Sequence, residues 1–397
     1  MKFRSSAHSF FLFIIVYFYL YAPPIRFLPV NISIIISIIV ILFSVMNNRK
    51  IYYITLFKSE LLILGVIFLY ASVLSAFGGG LEFISPFLFI FIKIPICVWI
   101  CCSFDKLRIY SNDGMKDFIR FMGVLAGISA TISIVMWLNI EWGEYVKFDV
   151  LKYDRDLMQY QMHRAFGFAD EFLFTYSIVQ ACIWVAVFSK FGVNRYTFLL
   201  FILVFISISL NARIGYLFLF FSLFSSNFFK IKSLYYLCFI VPALIFLLFI
   251  GGDKFDFLLK QFDYFLSEFY SNNDSDTLNI LLKDMIFLPE DPITLLFGSG
   301  TTVFGLAVGG SDSGYVNLIF FGGLIYFSIV LFFFVYCFYR GGFYKEFFLS
   351  ALLFIMFFIA SFKGPFFYPK PGMNLYFLMY VGIIYFHRDS KHRKISV

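Results

Sequence analysis

The sequence predicts an all-α protein, a polytopic integral membrane bundle of about twelve transmembrane helices, and three observations carry that expectation. Of the 397 residues, 61% are hydrophobic and only 14% charged, where soluble globular chains carry about 25% charged residues. The apolar residues fall in blocks of about 15 to 25, each long enough to cross a bilayer. Charged residues stand in the gaps between blocks, with basic residues favouring alternate gaps. This composition excludes a soluble enzyme and a nucleic-acid-binding module, and the net charge of +7 does not restore the latter, because it is distributed along the chain and is not gathered on one water-facing surface.

The first block, Phe10 to Ala22, follows Lys2 and Arg4 and so resembles a signal peptide. Its candidate cleavage point after Ala22 faces Pro23 and lacks a small residue at Leu20, so it reads as an uncleaved first span. Val30 to Met46, Leu61 to Phe77, Ile84 to Phe104 and Phe118 to Leu138 are the next four, each bounded by charge. Glu171 to Ser189, Tyr196 to Leu210, Ile214 to Phe229 and Leu234 to Ile250 form a second run with short connections. Gly314 to Tyr339, Phe347 to Phe362 and Met373 to Phe386 complete the twelve.

Assigning alternate gaps to the two faces puts nineteen Lys and Arg against six Asp and Glu on one face, and eleven against eighteen on the other, with Lys93 inside a span. The basic face is the cytoplasmic one, which places both termini inside. Two long loops, Asn139 to Asp170 and Gly251 to Ser313, then lie outside. The second contains Phe255, Leu258, Leu259, Phe262, Phe265, Leu266 and Phe269, at the three- and four-residue spacing of an amphipathic helix that lies on the outer leaflet, caps the bundle or simply packs on its own domain. With no internal repeat and no linker, residues 1–397 read as one domain. All six cysteines, Cys97, Cys101, Cys102, Cys182, Cys238 and Cys337, sit inside apolar blocks and read as small buried hydrophobes.

No phosphate-cradling GxxxxGK[ST], HExxH, CxxC pair or GxSxG elbow occurs. Of the four histidines only His163 falls on the outer face, which leaves no multi-histidine metal site there, and the first outer loop, Pro23 to Pro29, has no carboxylate. No metal or other cofactor is expected.

Three outer-face clusters can carry chemistry. The first runs from His163 and Arg164 through Gly167 to Asp170 and Glu171; its bland alternative is interfacial snorkelling with Asp170 as a helix cap. The second is the turn Asn211, Ala212, Arg213, Ile214, Gly215, which holds a guanidinium close to the hydrocarbon, a costly and usually functional placement. Such a group can bind phosphate oxygens by paired hydrogen bonds. The third joins Leu296, Phe297, Gly298, Ser299 and Gly300 to Asp312, Ser313, Gly314 and Tyr315. Here Asp312 and Ser313 can simply cap a helix, and Gly298 and Gly300 either admit a ligand to the backbone or turn the chain.

From Arg164 to Tyr339, the order of these three motifs, with Gly322 and Gly323 following the third, resembles the Wzy-type O-antigen polymerases of the O-antigen ligase and polymerase superfamily. The resemblance implies an inverting, metal-independent glycosyltransferase in the bacterial inner membrane. It would work at the periplasmic face on undecaprenyl-pyrophosphate-linked repeat units, among membrane lipids, with a chain-length regulator as a further partner. On that footing Arg213 and Arg164 bind the pyrophosphate, Asp312, Glu171 or His163 acts as base with Asp312 preferred, and Tyr315, Ser313, Gly298 and Gly300 contact glycan. The related ligases resemble one another around a histidine in the late outer loop, and this chain has none from Gly251 to Ser313. A flippase or other transporter calls for paired repeats and several charges at mid-membrane, where only Lys93 stands.

Overall fold

A backbone surrounded by apolar side chains must satisfy its own hydrogen bonds, and a helix does so within one segment. The structure, a computed structural model, describes residues 2–3, 6–46, 55–76, 84–109, 113–153, 165–170, 174–212, 214–225, 285–303, 310–344, 346–364, 366 and 370–393. In chain order the helices are α1 (Ser6–Tyr21), α2 (Ile32–Met46), α3 (Lys58–Leu74), α4 (Ile84–Leu107), α5 (Gly114–Leu138), α6 (Ile140–Tyr145), α7 (Thr175–Phe191), α8 (Arg195–Ser209), α9 (Ile214–Phe220), α10 (Pro292–Phe297), α11 (Gly314–Phe343), α12 (Phe347–Lys363) and α13 (Pro371–Arg393). A two-residue antiparallel pairing of Lys2–Phe3 with Arg108–Ile109 is the one strand pair among the described residues.

Among the described residues three helices are long and apolar enough to cross a membrane, Thr55–Leu74, Gly114–Leu138 and Gly314–Phe343, accompanied by several shorter apolar ones. This is the architecture of a helical membrane protein. The block Leu234 to Ile250 and the amphipathic stretch from Phe255 to Phe269 lie outside the described residues. Five of the six cysteines are described, and all five are buried.

The chain divides into two compact units. One comprises Met1–Ala22, Ile32–Met115 and Asp274–Val397, the other Pro23–Asn31 and Lys116–Asn273. In the first, α13 is the central element, buried from residue 371 to 386 and packed on α4, α1, α12 and α11. Two polar junctions stitch it to its neighbours. Lys93 of α4, 1% exposed, donates to Asn374 Oδ1 and lies over the Tyr19 ring, 5.2 Å from its centroid. Asn374 returns a bond to the Tyr19 carbonyl, 2.6 Å away. At the second junction Arg340 Nη1 donates to both carboxylate oxygens of Glu60 and Nη2 to the Leu56 carbonyl, while the Tyr380 hydroxyl donates to Glu60 Oε1.

Helix α11 departs from the single span expected for Gly314 to Tyr339. It is broken at Gly323, where φ is 70° and ψ −177°. The ring centroids of Tyr315 and Phe327 lie 5.8 Å apart, although twelve residues of straight helix rise about 18 Å, so the first segment folds back toward the second. The second segment, 324–343, is about 30 Å long, the thickness of a bilayer's hydrocarbon. The carbonyls freed by the break are taken up by the chain after α10: Ser299 N donates to Phe320 O at 2.8 Å and Gly300 N to Phe321 O at 2.9 Å. The Tyr70 hydroxyl bonds Phe297 O and Gly322 O.

Gly298 makes this crossing possible, with φ of 82° and ψ of 169° and a backbone so close to α11 that an added Cβ would stand 2.3 Å from Phe321 O. That region of backbone space is essentially confined to glycine and costs other residues about 1 to 3 kcal/mol. Gly298→Ala should therefore lower the stability of the purified protein by at least that much, with the backbone clash added. A thermal unfolding midpoint equal to that of the parent would refute the account.

In the second unit α7 is the central helix, buried from Thr175 to Phe188 and packed on α8 and α9. Asn194 and Thr197 form a reciprocal capping box at the start of α8, each satisfying a backbone donor that the helix leaves open. The block expected as one span from Ile214 to Phe229 is helical only to Phe220, followed by a 3-10 turn, Phe221–Phe224, and extended backbone at Ser225. Ser222 and Ser225 fall in this stretch, and serine, whose hydroxyl competes for nearby backbone groups, is a weaker helix former than leucine.

Candidate functional site

The three sequence clusters fall into two places. The glycine and aspartate motif belongs to the first unit, and the motifs around Arg164 and Arg213 belong to the second.

In the first unit the parts of one motif converge. Gly298 and Gly300 lie against Phe320, Phe321 and Gly322 of α11, so the close approach these glycines permit is to the helix backbone itself. Asp291 caps α10, and the Thr294 hydroxyl and amide that bond it hold its carboxyl below the usual carboxylate range. Ser313 occupies the N-cap position of α11, yet its side chain makes no capping bond. Ser311 and Asn317 fix this turn by other bonds: Ser311 Oγ accepts from Ser313 N at 3.0 Å, and Asn317 Nδ2 donates to the carbonyls of Ser311 at 2.7 Å and Ser313 at 2.8 Å. Asp312 is half-buried within this turn. The Tyr315 hydroxyl donates to Phe358 O at 2.7 Å, amid the rings of Phe327, Phe358 and Phe362.

In the second unit His163, Arg164, Glu171 and Arg213 themselves lie outside the described residues; their neighbours are described. Ala165, Phe166 and Ala169 are buried. Asp170 does not cap the following helix, which begins at Thr175 with Phe174 at its N-cap; Asp170 Oδ2 accepts a bond from Asn31 Nδ2 at 3.1 Å. The turn after α8 meets this loop directly, because Asn211 Nδ2 donates to Ala165 O at 2.8 Å. Two clusters separated by dozens of residues in sequence are thus joined by a side-chain bond. Beneath them lies a polar seam in which the Tyr176 hydroxyl bonds Ser129 at 3.2 Å and Ser207 at 3.1 Å.

Other segments complete this end of the unit. Residues Pro23–Asn31 run beside the turn Val146–Val150, with Arg26 N bonded to Val150 O and Lys152 N to Pro24 O, and Tyr153 donates to Ala169 O at 2.9 Å. Lys147 is 4% exposed and stands 5.9 Å from the centroid of the Phe166 ring. Burial pushes its amine down to about 8, and Glu144 opposes that fall. Sequence reading missed Lys147, which stands between Val146 and Phe148 in a stretch that also carries Glu144 and Asp149 and so reads as an ordinary loop lysine. No family model matches the chain, and no curated protein does.

Proposed function

We propose that the protein is a surface-polysaccharide polymerase of the inner membrane, with about twelve spans, both termini cytoplasmic and its active face periplasmic. It extends a glycan carried on undecaprenyl pyrophosphate. The acceptor hydroxyl of a lipid-linked repeat unit attacks the anomeric carbon of the growing chain. The new C–O bond forms as the bond to pyrophosphate breaks, inverting the carbon; the hydroxyl proton passes to a base, and the pyrophosphate leaves on its lipid. Such a reaction asks for cations on the leaving group and a base at the acceptor. Arg213 and Arg164 suit the first task, and Asp312, Glu171 or His163 the second.

The observation that carries this reading is the bond from Asn211 to Ala165, since Arg164 precedes Ala165 and Arg213 follows Ala212. The two cation-bearing loops therefore have neighbouring anchors. Deleting the gene and resolving surface polysaccharide on a gel tests the reading. A single capped repeat without a ladder is the expected result, whereas an unaltered ladder, or complete loss of polysaccharide from its acceptor as a ligase or flippase would produce, overturns it.

A further inference from the structure

Asn211 is more than a turn residue. It is 8% exposed, and its amide nitrogen serves two backbone carbonyls on different segments: Ser207 O at 2.7 Å within α8, and Ala165 O at 2.8 Å across 46 residues of sequence. The same nitrogen lies 3.5 Å from Ser133 Oγ of α5, and Ser133 Oγ in turn donates to Ala165 O. The far side of the turn is held as well, because Ala212 N donates to the buried Ser177 Oγ of α7 at 3.1 Å. Gly215 closes the arrangement, with so little space that an added Cβ would meet Ile208 Cγ2 at 2.8 Å and Ser177 at 3.0 Å.

The residue type follows from this geometry. Both carbonyls need donors, and a primary amide supplies two N–H groups from one short side chain. An aspartate would set a carboxylate against those carbonyl oxygens, and a leucine would remove the donor from Ser207 O and leave Ala165 O with Ser133 alone, so that nothing would tie the two segments together. A polar side chain that only ended a helix would bond its own turn; this one also reaches a second loop, immediately beside Arg164.

We infer that Asn211 is a positioning residue, whose amide fixes the backbone next to Arg164 relative to the backbone next to Arg213, so that one pyrophosphate is met by both guanidinium groups. The inference rests on the polymerase reading and adds to it a requirement for registry between two loops. Misplacement of a binding group by 1 Å costs on the order of 10²-fold in rate, so the spacing matters even where both arginines are retained.

The test uses the purified full chain with lipid-linked repeat units and compares Asn211→Asp, Ser177→Ala, Arg213→Lys and the two doubles with Arg213→Lys. Extension rate, KM for the lipid-linked donor and thermal midpoint are measured for each. Asn211→Asp should slow extension by on the order of 10²-fold, and combining it with Arg213→Lys should slow extension scarcely beyond Arg213→Lys alone. Ser177→Ala is a small, apolar change that removes the acceptor for Ala212 N, and should show the same non-additivity should Asn211→Asp fail to fold. Losses that multiply with that of Arg213→Lys, or that track the thermal midpoint alone, assign a merely structural role and overturn the inference. A full rate in Ser177→Ala and in a folded Asn211→Asp overturns it too, while the polymerase reading stands if Arg213→Lys is slow. A full rate in Arg213→Lys itself instead removes the reading beneath the inference.

Discussion

Arg213→Lys should slow chain extension by roughly tenfold to ten-thousandfold while leaving expression and folding intact. Lysine keeps the positive charge and much of the apolar stem, so membrane insertion has little reason to change. It loses the planar fork able to bond two oxygens of one pyrophosphate, and charge-assisted bonds of that kind contribute about 1.5 to 3 kcal/mol each. At about 1.4 kcal/mol per factor of ten, losing one or two of them in the transition state gives the stated range. A role limited to charge or anchoring predicts almost no change. Polysaccharide ladders formed at the parental rate by purified Arg213→Lys would remove the pyrophosphate-clamp hypothesis.

The second large effect concerns stability. Glu60→Gln should destabilise the protein by about 3 to 5 kcal/mol, because it leaves Arg340 without its counter-charge in a buried setting. Glu60 is fully buried, and the side chain of Arg340 is 19% exposed. Ordinary side-chain hydrogen bonds between membrane helices contribute only about 0.6 kcal/mol on average, so the unpaired charge dominates any bond lost at Tyr380. The double replacement Glu60→Gln with Arg340→Met should recover much of the loss, since removing both charges abolishes the unpaired one. Thermal unfolding followed by size-exclusion chromatography in detergent measures both. A Glu60→Gln midpoint equal to the parent's, or a double variant less stable than Glu60→Gln, contradicts the argument.

The helices were legible because apolar blocks of span length leave the backbone few alternatives, and ends such as Ile84 and Leu138 agree with that reading. What the sequence could not show is which distant polar residues meet. Glu60 and Arg340 are 280 residues apart, and each reads alone as a charge in a cytoplasmic gap; only packing brings them together. The pair Gly322 and Gly323 was visible as part of a motif. The break at Gly323 was not, because it depends on Gly298 and Ser299 arriving from another segment to satisfy the freed carbonyls. At the candidate site, Asn211 and Arg164 were recognised as members of separate clusters, but the bond from Asn211 to Ala165 crosses a separation that periodicity cannot bridge. The alternative in which Asp170 caps a helix gives way for the same reason: its partner, Asn31, lies 139 residues upstream.

The junction at Lys93 sets a schedule for biogenesis. Its acceptor Asn374 follows 281 residues later, and synthesis runs from the N-terminus. On the expectation that Ile84 to Phe104 is a span, Lys93 enters the bilayer long before α13 exists, at an apparent insertion penalty of about 2.5 to 3.5 kcal/mol for a lysine at the helix centre. Glu60 waits in the same way for Arg340 and Tyr380. The first unit is thus completed only when its last helix docks, and a chain stalled before residue 371 leaves the amine of Lys93 without the acceptor it has in the finished fold.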